Sequence, residues 1–249
     1  MLHVNTNAVA VAAGHYPHIR LVDVAFRNSD VDVATVPETV SPVGGLIALR
    51  STAAVVEVVS SSAADDGDPA GTGARTVRID GLDTNYVEVT ETLTLNGTTP
   101  VVGTVEFLRI NYATVASAGS GKANAGNITL RDSGAGTTRS YIEAGRGRAE
   151  VGVFTVPAGH KVLATDWIIA SNISTGPSGA TVEFWTTKYG VRSVSWFMTG
   201  TGAANTHPSV SHVFEEKTDV EVIVSSVGAN DTTIMLHGHG LLVGPNVDL

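Results

Sequence analysis

The sequence predicts an all-β protein: two β-sandwich or jelly-roll-like domains preceded by an irregular N-terminal arm. Three observations predict it. Apolar residues alternate with polar ones over many short runs, and no stretch shows a helical period. In the second half, turns recur every 8–15 residues between seven strand candidates. Where composition is ambiguous, as in residues 53–62 with their alanines, Val55, Val56, Val58 and Val59 weigh for strand. Many short strands between Gly and Asn turns belong to sandwiches and jelly rolls.

Taken in order, residues 1–45 form the arm. Pro17, Pro37 and Pro42 break up short apolar groups, and only residues 19–26 read as a strand. Such a segment either lies on a neighbouring subunit or packs on its own domain, and the expectation is a coreless arm leaning on another chain. The first domain spans 46–147. Its strands are expected at 46–50 and 53–60, then in a central hairpin over 74–99. There Val77 and Ile79 share one face, and Val87, Val89, Leu93 and Leu95 alternate with Glu88, Thr90, Thr92 and Thr94. Gly81, Asp83 and Asn85 turn the hairpin. Further strands are expected at 104–117, 128–131 and 140–143, before a linker at 144–149.

The second domain spans 148–249. Its strands are expected at 151–156, 161–170, 180–188, 192–199, 210–214, 220–227 and 233–243. Trp167, Phe184, Trp185, Trp196, Phe197 and Phe214 are expected to form much of its core, with Phe184 and Trp196 buried. Residues 73–79 weakly resemble 179–184, as two domains of similar type would produce.

Composition narrows the function. The chain has 249 residues, 43% of them hydrophobic and only 16% charged, which describes a packed protein rather than a disordered one. A surface so poor in charge suits being covered by neighbouring subunits. The net charge is −9 with no cluster of Lys and Arg, so nucleic acid is not an expected partner. There is no cysteine, hence no disulfide or thiolate chemistry. No run approaches the roughly 20 apolar residues of a membrane helix, and residues 8–13 lack the preceding cation of a signal peptide.

Candidate chemistry is sparse. Residues 118–122 invite a phosphate-loop reading, but Ala116 and Ala123 stand where that motif needs Gly and Ser or Thr. Residues 176–180 miss the serine-hydrolase elbow at its last glycine. Asp65, Asp66 and Asp68 around Gly67 could hold Ca²⁺, although the remaining spacing is wrong and a solvated acidic loop is the expectation. His237 and His239 share a face of a strand and could begin a transition-metal site, with His160, His207 or His212 as third ligand; ordinary surface or interface histidines are the plainer reading. Asn96, Asn127, Asn172 and Asn230 open Asn-x-Ser/Thr sequons that read as turn chemistry. Glu215 and Glu216 are adjacent and point apart in an extended chain. No catalytic, cofactor-binding or metal-binding residue is assigned, and no cofactor is expected.

The ordered series GARTVRIDGLDTNYVEVTETLTLNGTTPV, FLRINYATVASAGSGKANAGNITL, YIEAGRGRAEVGVFTVPAGHKVLATDWIIASNISTGPSGATVEFW and FEEKTDVEVIVSSVGANDTTIMLHGHGLLV resembles virion structural proteins of tailed bacteriophages, marine phages especially. It covers residues 50–245. The resemblance implies a particle component without enzymatic activity, located in the virion and assembled in the host cytoplasm. The expected role is a capsid decoration or cement protein, a homo-oligomer (a trimer by shell symmetry) bound to the major capsid protein or other virion proteins without metal or cofactor. The alternative is a tail or receptor-binding component that engages a host surface glycan; a tail-associated enzyme would instead show converging carboxylates in a cleft.

Overall fold

The computed structural model describes residues 10–150, 152–172, 179–200, 203–206, 212–245 and 247. About 55% of the described residues are strand, so the all-β expectation holds. Two compact units divide the strands: one runs to Val40 and resumes at Phe154, and the other is Ser41–Val153. The boundary expected between residues 147 and 148 therefore falls a few residues later. In chain order, β1 (Ile19–Val31) and β2 (Glu38–Thr39) precede the second unit, which carries β3 (Val56–Ser60), β4 (Ala74–Leu82), β5 (Glu88–Thr94), β6 (Val101–Val102), β7 (Arg109–Ala118), β8 (Ile128–Asp132) and β9 (Thr138–Ile142). The first unit is completed by β10 (Val153–Thr155), β11 (Lys161–Ser171), β12 (Ala180–Lys188), β13 (Val191–Gly200), β14 (Ala203–Thr206), β15 (His212–Phe214), β16 (Asp219–Ser226) and β17 (Thr232–Val243).

The first unit contains two five-stranded sheets. One has the order β1-β17-β11-β14, with β15 also on β11; the other has β10-β16-β12-β13, with β2 on β16. Strand β17 is the inner strand that β1 and β11 both pair with, antiparallel, over nearly its whole length. Its alternation is strict. Ile234, Leu236, Gly238, Gly240 and Leu242 are buried, while Met235, His237, His239 and Leu241 face outward. Gly238 is small for a reason: it pairs with Trp167, and a Cβ there would lie 2.3 Å from the indole ring. The indole, laid over that bare backbone, meets Phe184 of the other sheet edge-on, with ring centroids 4.7 Å apart. Edge-to-face aromatic contact of this kind adds to the burial of both rings.

Two expectations for this unit are revised. Of the segment expected to be a coreless arm, residues 1–9 lie outside the described residues, and residues 19–40 are not coreless. Val22, Val24 and Phe26 alternate into the core from β1, whose register runs from Ile19 opposite Val243 to Val31 opposite Thr232. The prolines bracket the strands instead of breaking them: Pro17 precedes β1, Pro37 precedes β2 and Pro42 follows it. Buried polar groups lock the segment in place. Asn28 Nδ2 donates to Glu38 Oε2 at 3.1 Å, and Thr39 Oγ1 donates to Glu221 Oε1 at 2.9 Å. The second revision concerns the aromatics. Trp167, Phe184 and Phe214 are buried, but Phe197 is 62% exposed, because its register partner is Glu183 on the face opposite Phe184. Trp185 is half-buried on that same outer face, and the side chain of Trp196 lies outside the described residues.

The second unit has sheets ordered β6-β3-β8-β9 and β5-β4-β7. The expected hairpin is present, with Val77 opposite Leu93 and β7 on the far side of β4. Its core includes Val56, Val58, Ile79, Phe107, Ile128 and Ile142. Residues 46–50 are not the strand expected, because side chains occupy the groups a ladder would use. Arg139 Nη1 donates to the carbonyl of Ala48 at 2.5 Å, and Arg109 Nη1 to that of Arg50 at 2.7 Å. Arg50 itself is buried, donating to Asp132 Oδ1 and to the carbonyl of Ala54, both at 2.9 Å. Hydrogen bonds from Arg139, and then from Arg50, hold the Asp132 carboxyl below its usual range against the opposing effect of burial. Glu57 is lowered likewise, first by the Gly134 amide and then by Arg131.

Gly238→Ala should destabilise the chain by about 1–3 kcal/mol through overpacking against Trp167, and Phe184→Ala by about 3–5 kcal/mol. Denaturant unfolding measures both; a loss under about 0.5 kcal/mol for Gly238→Ala would mean that the indole does not lie over that residue.

Candidate functional site

The outer face of β1-β17-β11 gathers the chemistry that the sequence scattered. Because glycines take the inward positions at 238 and 240, the histidines at 237 and 239 must both point outward. Their rings lie 4.5 Å apart, centroid to centroid, tilted by 58°. Across the ladder, His239 is flanked by Asp23 of β1 and Asp166 of β11, and His237 by Ala25 and Ile168. A register shift in β11 between Ala164 and Asp166 sets that pairing, and the Thr165 hydroxyl in the bulge donates to the His239 carbonyl at 3.1 Å. His237 Nε2 meets Asp23 Oδ1 at 2.5 Å, with the two side chains 42% and 48% exposed. One ligand atom from each of Asp23, His237 and His239 lies within 4.8 Å of the others.

The third member was not among the residues expected. His160 turns its Nδ1 to the carbonyl of Ala158 at 2.9 Å, His212 packs on Phe214, and His207 lies outside the described residues. Asp23 stands 214 residues from His237 in sequence and becomes its neighbour only through the β1–β17 pairing. A period-two reading of 19–31 would have put Asp23 on the polar face of a strand; nothing local names its partner strand.

The remaining motifs resolve into structure. Asp65 is fully buried and already saturated: Oδ1 accepts from the amides of Ala74 and Ala125, each at 2.7 Å, and Oδ2 from Ser60 Oγ at 2.6 Å and the Gly126 amide at 2.9 Å. The loop expected to be solvated therefore turns its first carboxylate inward, and Asp66 accepts from the Asp68 amide at 2.9 Å. In the 118–122 loop the Gly119 and Gly121 amides donate to the carbonyls of Gly73 and Thr72 at 2.7 and 2.8 Å, which leaves them unavailable to a phosphate. Most of the 176–180 segment lies outside the described residues. Asn127, Asn172 and Asn230 accept backbone N–H groups, as turn residues do. Glu215 pairs with Lys161 and Glu216 accepts from the Gly159 amide, so the two serve separate contacts. Asp30, Asp32 and Asp231 also approach one another, but Asp32 Oδ1 is taken by the Asp231 amide at 2.8 Å.

Apolar side chains border the histidines. Leu21, Leu241, Leu163 and Val213 form one continuous row across four strands, with Leu21 49% and Val213 41% exposed. On the other side lie Ile168 and Met235, 38% and 41% exposed. Comparison of the chain with known protein families and with curated proteins finds no match in either.

Replacing Asp65 by Ala should cost about 3–5 kcal/mol, since it strands three buried amides and a hydroxyl. Thermal unfolding in Ca²⁺ and in chelator checks the companion expectation that Ca²⁺ leaves this loop's stability unchanged; a Ca²⁺-dependent rise lost in Asp65→Asn would restore the cation reading.

Proposed function

We propose that this chain is a structural component of a tailed-phage particle, of the capsid decoration or cement kind, built from sandwich-type domains and acting by binding rather than turnover. The observation that supports this most directly is the outer face of β1-β17-β11, where the row Leu21-Leu241-Leu163-Val213 stays partly exposed on a rigid sheet. Contiguous apolar surface on a folded sheet favours association with another protein. The scarcity of charge favours the same, as does the resemblance of the strand series to virion proteins. A second exposed apolar group, Tyr189, Val191 and Phe197 at 80%, 70% and 62%, sits on the β12–β13 hairpin and gives a second surface for contact. A protein with two such surfaces can bridge neighbouring subunits. It then stabilises the assembled state by mass action, because it binds that state and not the separated subunits.

Contacts of this composition weaken only modestly with salt. Purified chain added to shells lacking it should bind and raise their melting temperature at both low and high ionic strength. Leu21→Asp should weaken that binding at least about tenfold while leaving the fold intact. Absence of shell binding, with saturable binding to a host surface glycan instead, would overturn the decoration reading in favour of a tail component.

A further inference from the structure

We propose that Asp23, His237 and His239 form a binding site for a divalent transition-metal ion of the Zn²⁺ class. Two imidazoles and one carboxylate are a donor set of three-ligand zinc sites, whose fourth position is left to water or another ligand. Ca²⁺ and Mg²⁺ prefer all-oxygen shells, so they are poor occupants. The arrangement is set by the backbone. Glycines at 238 and 240 direct both histidines to one face, and the β1–β17 register brings Asp23 opposite His239. The bulge in β11 fixes the backbone beside His239 through the Thr165 hydroxyl. Ligands carried by paired strands are held more firmly than ligands carried by loops.

The distances suit an ion entering the cluster. Bonds of about 2.0–2.1 Å at tetrahedral angles place donor atoms roughly 3.3 Å apart. The three ligand atoms lie within 4.8 Å of one another, and one pair, His237 Nε2 and Asp23 Oδ1, is at 2.5 Å. Entry of the ion therefore opens that hydrogen bond by somewhat less than 1 Å and replaces it with a metal bond at His237 Nε2, whose lone pair must face the ion. Side chains that are 42% and 48% exposed can make this adjustment without disturbing the core. Ile168, Met235 and Leu241 border the site. The ion would also tie β1, the edge strand of its sheet, to the inner strand β17.

The test uses the full chain after chelator treatment, with Zn²⁺ alone as the probe, titrated calorimetrically and by thermal melting, and with Mg²⁺ as control. The expected result is saturable Zn²⁺ binding with a Kd on the order of 10 µM, an upward melting shift that saturates with it, and no effect of Mg²⁺. Asp23→Asn, His237→Gln and His239→Gln should each weaken binding at least about tenfold. Co²⁺ substituted for Zn²⁺ should give a visible tetrahedral absorption that these variants lose. All three replacements are at outward-facing positions, and unchanged far-ultraviolet circular dichroism verifies folding; should one variant misfold, the other two carry the comparison. Failure to saturate below about 1 mM, or binding undiminished in both histidine variants, would overturn the assignment. Binding is read on the isolated chain, so it succeeds or fails separately from the particle role.

Discussion

The contact between the Trp167 indole and the bare backbone of Gly238 is the constraint on which the first unit depends. Only a residue without a Cβ lets the ring lie flush on β17 and reach Phe184 of the other sheet. The same inward glycines force the neighbouring histidines outward. Core and candidate site are thus two faces of residues 237–240. A change that rotated this strand by one residue would bury the imidazoles and expose Leu236 and Leu242 together. In the second unit Asp65 has a comparable part. A single carboxylate gathers amides from β4 and from the loop before β8, as well as the Ser60 hydroxyl, so the acidic loop is held from inside.

Much of this was legible from alternation alone. The hairpin of β4 and β5, the long strands β11, β12, β16 and β17, and the burial of Phe184 follow from period-two patterning, because the pleat sends alternate side chains to opposite faces. What was not legible is pairing. Residues 19–31 show the same period, yet the flanking prolines suggested an arm, and only the distant β17 shows why a strand forms there. Residues 46–50 failed in the opposite sense: their pattern is strand-like, but arginine side chains take the carbonyls of Ala48 and Arg50. Phe197 was misplaced because the apolar character of an aromatic does not reveal which face of β13 it occupies.

The site was half legible for the same reason. His237 and His239 share a face by spacing, whereas Asp23 joins them through a register no local pattern contains. Asp65 was expected in a solvated acidic loop because its four donors, three of them backbone amides, are invisible in a string of residue types. The outer face of β1-β17-β11 combines these lessons. Its imidazole-carboxylate cluster, and Leu21 at the end of its apolar row, are there only because the N-terminal strand is part of the sheet. Both functional proposals drawn from that face therefore depend on β1.

Amide hydrogen exchange on the full chain, resolved by residue, tests that dependence most directly. If β17 is an inner strand with β1 paired along its edge, the amides of 234–242 should exchange at the slow rate of unit-wide opening, and alternate amides of 20–28 should approach it. Exchange of 20–28 at free-peptide rates, while β11 and β17 stay protected, would contradict the account.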